Sequence, residues 1–318
     1  MSDVKLQRTV ARFQAKIESG AYYEAHQTLR TITNRYVKLK QYQDALDLLY
    51  QGASTLANKK EYASALDLIT YYIQILEEAT LYDKQYKLKI IELVNVLPDT
   101  ETALVDISKQ AITWSTKGVV DLKFGDPELH HTFGIKFANG IKSTESTDEE
   151  ERLKLFANAE LHLILGTHDS MIHYIDFLIE WYLSLNGKSN PSYFLARAVY
   201  NYAYLKNIKF VQEAITRFTS SLQIHRASDV SPLEANGVTI YRFENDEFFE
   251  FLQLLALTLS KKEAGQKFMK LYGQYKPKLI ANEYLAPTEY LGRFYFGLNL
   301  GSTGGNNMFA NLMGGLFN

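Results

Sequence analysis

A short pattern returns three times in strict register near the start of this chain. It reads Gly20-Ala21-Tyr22-Tyr23-Glu24-Ala25, then Lys40-Gln41-Tyr42-Gln43-Asp44-Ala45, then Lys60-Glu61-Tyr62-Ala63-Ser64-Ala65. The tyrosines and the alanines each recur every twenty residues. Twenty residues is one helix of about four turns plus a tight turn, so a pair makes a hairpin of roughly forty. The small Ala lets neighbouring helices approach closely, and Tyr fills the gap beside it with its hydroxyl reaching solvent or a backbone group. A helical hairpin cannot bury its apolar stripe alone and must stack on others. The expected fold is therefore all-α: a right-handed, tetratricopeptide-like α-solenoid of stacked helical hairpins.

Between the turns the apolar spacing is helical. Leu46, Leu49, Ala53 and Leu56 form one stripe, and Leu66, Ile69, Ile73 and Leu76 form another. Further helices are predicted over 84–97, 101–116, 127–139, 148–166, 168–186, 190–206 and 207–224, then 247–260, 262–275 and 277–296. Pro98 opens a break, and Asp126-Pro127 has the form of an N-cap followed by the first helical position. The acidic run Asp148 to Glu151 suits another helix start. Near 225 the pattern changes. Asn236-Gly237, followed by Val238, Ile240 and Tyr241, predicts a small β-hairpin or extended arm near 230–245, either a docking element or a surface loop. The expected organisation is a helical-repeat half over 1–145, a second over 146–300, and a flexible linker with a short amphipathic tail over 301–318. In that tail Met308, Phe309, Leu312, Met313, Leu316 and Phe317 lie at helical spacing, as in segments that fold back on their own domain or dock in a partner's groove.

Composition narrows the function by exclusion. The net charge is −2 over 318 residues, which does not suggest nucleic acid or a membrane surface as partner. Locally, Lys5, Arg8, Arg12, Lys16, Arg30, Arg35, Lys38 and Lys40 outnumber the acids of the first forty residues, while Glu61, Asp67, Glu77, Glu78 and Asp83 lean the other way. Neighbouring patches of opposite sign suit a charged protein partner; they are equally read as solvated helix faces. The chain has no cysteine, which removes disulfides, thiolate metal sites and cysteine nucleophiles together. The start shows no apolar core of signal-peptide length, and the richest apolar run, Phe248 to Leu259, is broken by Glu250 and Gln253. It reads as a buried helix, and the expected location is the cytosol.

The search for chemistry returns little. His168 and His173 are wrongly spaced for one helix face, and no HExxH motif is present. His130 and His131 follow a helix start and read as capping or surface residues. Gly166-Thr167-His168-Asp169-Ser170 invites a triad reading, but triad members come from separate elements. A helix-to-helix turn with Asp169 or Thr167 as N-cap explains it better. No catalytic residue, metal ligand or cofactor is expected.

Several segments carry a family resemblance. Residues 20–37 (GAYYEAHQTLRTITNRYV) and 41–53 (QYQDALDLLYQGA) resemble the N-terminal signature of the adaptor subunit usually numbered four in the GET pathway, which guides tail-anchored membrane proteins to the endoplasmic reticulum. The segments 124–134, 165–172 and 251–262 and the Met/Gly/Leu/Phe-rich C-terminus follow in the right order. The resemblance implies a non-enzymatic scaffold. It would bind a homodimeric tail-anchored targeting ATPase, in a nucleotide-dependent way, through its N-terminal half. It would form a stable complex with a ubiquitin-like-domain protein through its C-terminal half and so tether a co-chaperone. Carried over residue by residue, the ATPase face would include Arg12, Tyr22, Tyr23, Glu24, Arg35, Asp67 and Glu77. Val238, Ile240, Tyr241, Phe248, Phe249 and Phe251 would grip the ubiquitin-like partner. Neither nucleic acid binding nor direct membrane insertion is implied. The alternative is a helical-repeat scaffold of another complex, of proteasome-lid or tetratricopeptide co-chaperone type.

Overall fold

The computed structural model describes residues 2–118, 122–143, 149–235 and 237–300. Asn236 and the expected linker and tail over 301–318 lie outside the described residues. Within them are fourteen α-helices, one 3-10 turn and a two-stranded sheet. The chain forms two compact units, Met1–Ser170 and Met171–Asn318. The division falls in the first turn of the ninth helix, whereas the sequence suggests 145/146.

The first unit holds α1 (Ser2–Glu18), α2 (Tyr22–Lys38), α3 (Tyr42–Asn58), α4 (Tyr62–Glu78), α5 (Lys84–Asn95), α6 (Leu104–Gly118), α7 (Pro127–Ser143) and α8 (Glu149–Leu165). Its first four helices are each 17 residues long, and three residues join each to the next. The joint has one geometry throughout. Gly20, Lys40, Lys60 and Thr80 all take the left-handed conformation, with φ of 74°, 57°, 66° and 52°. The amide one residue later closes back over the helix end, Ala21 to Lys16, Gln41 to Tyr36, Glu61 to Leu56 and Leu81 to Leu76, each at 2.9 Å. These are Schellman closures, which satisfy carbonyls the helix end leaves over. After the first three closures the next helix begins at once with Tyr as its first residue, Tyr22, Tyr42 and Tyr62; after the fourth, α5 begins at Lys84. Ala25, Ala45 and Ala65, in its first turn, are fully buried, and the tyrosines are half-buried at the edge of the core. The repeat is thus a turn geometry and a close packing point, locked twenty residues apart.

Further along, Asp126 caps α7 as expected: its Oδ1 accepts from the amides of Glu128 at 2.8 Å and Leu129 at 3.3 Å. His130 is a correction. It is buried in α7, where the Nε2–H donates to the Phe124 carbonyl at 2.8 Å, leaving Nδ1 to accept from Nδ1–H of His162 on α8 at 2.9 Å. The His162 ring lies between Phe133 and Phe137, each 5.6 Å away centre to centre. A Nδ1–H that points into an apolar helix interface needs such a partner, and the sequence separation hides it.

The second unit comprises α9 (His168–Ser184), which begins in the first unit, α10 (Pro191–Tyr204), α11 (Ile208–His225), the 3-10 turn Ala227–Asp229, β1 (Val230–Ala235), β2 (Val238–Phe243), α12 (Glu247–Leu259), α13 (Gly265–Ala281) and α14 (Leu285–Phe296). α10 is nearly all buried and packs against α11, α12 and α14. Thr167 caps α9 in a reciprocal pair: its amide donates to Ser170 Oγ at 2.9 Å and its hydroxyl accepts from the Ser170 amide at 3.4 Å. A second correction concerns Pro277, read from sequence as the start of a helix. It lies inside α13. The missing N–H frees the carbonyl of Gly273, and both residues are on the exposed face, where water supplies the lost bond. The true break follows Glu283, left-handed at φ 63° with the same closure, Tyr284 N–H to Leu279 carbonyl at 2.9 Å.

Two outcomes follow. Lys60→Gly removes the steric cost of a left-handed Lys and raises stability by about 1 kcal/mol, read as an upward shift of the urea midpoint. Burial holds both His130 and His162 below the usual histidine range, His162 well below, and the His130 charge adds to it; Asp126 opposes the shift at His130. The unfolded chain therefore takes up protons first, so stability is complete above about pH 6.5 and is lost as pH falls from there toward the folded values. Melting temperatures at about pH 7.5 and 5.5 measure that slope, and His162→Phe, which fills the same space, flattens it.

Candidate partner-binding surfaces

On the first hairpin, Arg12 lies one turn before Lys16 on the same face of α1. Lys16 Nζ donates to Glu24 Oε2 of α2 at 2.9 Å and holds that carboxyl below the usual carboxylate range. Tyr23 is 73% exposed, the most outward aromatic of the repeat. Arg12, Tyr23 and Glu24 are thus all exposed on α1 and α2. Tyr22 beside them is half-buried, with its ring packed on the core. Arg35 is exposed but lies twelve residues further along α2, about 18 Å away along the axis.

Asp67 and Glu77 are engaged within the chain. Asp67 Oδ2 on α4 accepts from His26 Nε2 at 2.7 Å and stands 3.4 Å from Arg30 Nε, both on α2. The Arg30 guanidinium lies 4.3 Å over the Tyr71 ring, and the Tyr71 hydroxyl donates to Asn34 Oδ1 at 2.7 Å. Glu77 pairs with Lys117 of α6 at 3.2 Å. These polar rungs tie α2 to α4 and α4 to α6. Sequence reasoning missed His26, Arg30, Asn34 and Tyr71, although the spacing 26, 30, 34 against 67, 71 marks two facing helix stripes.

The second surface is built by the β-hairpin on α12. β1 and β2 are antiparallel, with Val230 opposite Phe243 and Pro232 opposite Tyr241. Ile240 and Phe243 of β2 are buried. Between them the outward backbone of Tyr241 is taken up by one side chain: Tyr241 N–H donates to Gln253 Oε1 at 2.9 Å, and Gln253 Nε2 donates back to the Tyr241 carbonyl at 2.7 Å. A buried Gln amide on α12 thereby acts as a third strand. Since both Tyr241 groups face away from β1, Pro232 sits where the hairpin needs no N–H, and β1 presents the open edge. The lone amide inside the run Phe248 to Leu259 is the sequence signal for this contact.

Phe248, Phe249 and Phe251 require a correction. All three are buried, with Phe248 stacked on Phe251 and Phe249 against Phe243. They shape the platform from inside, as Ile240 does. Val238, 40% exposed near the hairpin tip, and the half-buried Tyr241 remain available. Beside the hairpin a cavity of about 710 Å³ is lined by Asp229, Glu244, Glu247, Glu250 and Arg242, among others. Arg242 is 3.3 Å from Glu250. Asp246 below it is buried, which pushes its carboxyl above the usual range, and it accepts from the Ser192 amide at 3.0 Å at the start of α10. Among the described residues no group of three His, Cys, Asp or Glu side chains is arranged to hold a metal ion, and no helix is long and apolar enough to cross a membrane.

Gln253→Leu leaves two strand groups without partners and destabilises by about 1–3 kcal/mol. Hydrogen exchange at the Tyr241 amide accelerates more in that variant than exchange within α10.

Comparison with known proteins finds one coherent group. A family model described as Golgi to ER traffic protein 4 matches residues 39–317. A Schizosaccharomyces pombe protein of that name is 29% identical over 316 residues, covering 99% of this chain and 95% of its own. One from Aspergillus fumigatus is 30% identical over 296 residues, covering 86% of this chain and 79% of its own. The human homologue of that name is 28% identical over 319 residues, with 97% and 87% covered. The solved structure titled crystal structure of C. therm. Get4 superposes with a TM-score of 0.80 at 26% identity, covering 99% of this chain and 96% of that one.

Proposed function

As the chain belongs to the Golgi to ER traffic protein 4 family, with a role in the GET pathway, we propose that it is a non-enzymatic adaptor with one partner on each compact unit. Membership sets aside a scaffold of proteasome-lid or tetratricopeptide co-chaperone type. The first unit takes the homodimeric tail-anchored targeting ATPase on the exposed faces of the first hairpin, centred on Arg12, Tyr23 and Glu24. Arg35 contributes a separate contact at the far end of α2. Asp67 and Glu77 act through position, holding α2, α4 and α6 in register. The second unit takes a ubiquitin-like-domain protein, and through it a co-chaperone, at the hairpin platform by way of Val238 and Tyr241. The cytosol is the proposed location.

The observation that carries this reading is the contrast between engaged and outward groups. The buried aromatics and polar rungs of each unit are consumed by packing, while Tyr23 on the first hairpin and Val238 on the β-hairpin are among the large apolar side chains left outward, as are Leu39, Ile224 and Ile280. Exposed aromatic and aliphatic anchors set in charged surroundings are the usual centres of protein interfaces. An edge strand carrying Pro232 and Glu234 is poor for strand addition, so side-chain contact is the mode expected at the hairpin.

The test uses the purified full chain in pull-downs with the ATPase, with and without ATP, and with the ubiquitin-like protein. An Arg12→Ala/Tyr23→Ala variant weakens ATPase capture by at least about tenfold and leaves the other partner bound. Val238→Asp does the reverse. Both sites are exposed, so melting temperatures stay unchanged. A folded chain that captures neither partner, or variants that bind like the parent, would remove the proposal.

A further inference from the structure

The sequence holds 6 prolines, and the residues before them are Leu97, Asp126, Asn190, Ser231, Lys276 and Ala286. Ser231-Pro232 is therefore the single place where a hydroxyl side chain precedes proline. It lies in β1, on the open edge of the hairpin. Both residues are exposed, and the Ser231 hydroxyl makes no hydrogen bond among the described residues. The open edge accounts for Pro232, since no N–H is needed there. It does not account for a hydroxyl in front of it.

An exposed serine before proline in extended chain is the substrate form of the proline-directed protein kinases. In such an enzyme's cleft a following residue with an N–H would leave that donor without a partner, and proline has none. Strand geometry holds Ser231 extended already, and the residue before a proline is kept from the helical region in any case.

The strand register sets what a phosphate on Ser231 would meet. Ser231 is paired with Arg242 of β2, and directly opposed side chains share one face of a hairpin, roughly 5 Å apart at Cβ. Both line the hollow of about 710 Å³, which leaves room for the added group. The other charged residues of its wall are Asp229, Glu244, Asp246, Glu247 and Glu250, so Arg242 is the one cation among the lining residues. Arg242 Nε stands 3.3 Å from Oε1 of Glu250 on α12. A phosphate brings about two negative charges and three acceptor oxygens, and the guanidinium fork matches it with two parallel donors. One carboxylate contact at 3.3 Å is the weaker partner of the two.

We propose that Ser231 is a phosphorylation site for a proline-directed kinase, and that Arg242 receives the phosphate and lets go of Glu250. In the transfer, Ser231 Oγ attacks the γ-phosphorus of MgATP. The bond from that phosphorus to the bridging oxygen breaks, ADP leaves, and the hydroxyl proton passes to the kinase's catalytic aspartate. ATP is the only co-reactant. The ion pair that joins β2 to α12 becomes one within the hairpin, and the wall of the hollow gains about two negative charges. The proposal is independent of which proteins the hairpin binds.

The folded full chain is incubated with MgATP and a purified proline-directed kinase. Intact mass counts the phosphates and peptide mapping places them. One phosphate on Ser231 is the expected result. Ser231→Ala takes none, and Pro232→Ala is modified at least about tenfold more slowly, because the added N–H has no partner in the kinase. Melting temperatures like the parent's show that both variants are folded. A second arm follows the phosphorus-31 resonance of the modified chain through pH. Phosphoserine loses its second proton near about pH 6, and a cation beside it favours the dianion. The midpoint therefore lies higher in phosphorylated Arg242→Gln than in the phosphorylated parent. Three results overturn the site: no incorporation, incorporation that Ser231→Ala retains, or incorporation that Pro232→Ala does not slow. Equal midpoints in the parent and Arg242→Gln overturn the role of Arg242.

Discussion

The first unit depends on how closely consecutive helices pack at Ala25, Ala45 and Ala65. A helix has about 10 Å between its axis and its neighbour's, and only a small side chain at the crossing allows the lower end of that range. Each alanine sits in the first turn of its helix, directly after a left-handed residue and a Schellman closure. The turn sets the direction of the next helix, and the alanine sets its distance. With helix length held at 17 residues, the two together fix the hairpin, and stacking of hairpins buries stripes that no single hairpin could cover.

This arrangement leaves polar groups in orderly places. Side chains along neighbouring helices meet in rungs, as with Tyr86 and Gln43, Lys89 and Asp47, and Tyr50 and Glu92 between α3 and α5. Exposed ion pairs of this kind contribute little stability singly, yet they specify the lateral register that apolar stripes alone leave loose. A side effect is that charges inside the rungs are unavailable to partners. Asp67 and Glu77 illustrate it: both belong to a charged surface by sequence, and both are tied to basic neighbours.

What was legible in the sequence follows the range of the interactions. The repeat, the Asp126 cap, the buried helix over 247–259 and the hairpin are local, and spacing and turn residues are enough to show them. Pairs formed across distance were not. His130 and His162 are thirty-two residues apart, and nothing in either neighbourhood marks a shared hydrogen bond. Pro277 misled because a proline normally opens a helix, and only the exposure of Gly273 makes it tolerable inside one. Of the residues expected to grip a partner at the hairpin, the three phenylalanines were misplaced for a simple reason. Helical periodicity shows that a residue is apolar and on a given stripe, but an apolar run buried all round gives no outward stripe to choose.

Under the proposed adaptor role, surfaces and not a pocket carry the activity, and the buried polar groups are disposed accordingly. An enzyme keeps some buried polar groups poised for substrate. Here the groups with that character are spent on the fold. Ser170, fully buried, completes the α9 cap while His131 approaches its hydroxyl at 2.9 Å. Asp246 closes the open amide at the head of α10 from fifty-four residues away, and His130 and His162 satisfy each other. Each of these would look like a catalytic fragment in isolation. Each is a cap or a link between helices, and removing its partner would cost the fold. What the chain leaves outward is a set of faces on two rigid units, distinct in charge and shape. In the second unit an acid-lined hollow stands beside the hairpin, with Gln274 and Tyr275 of α13 in its wall and Lys278 of α13 paired to Glu247 at its edge.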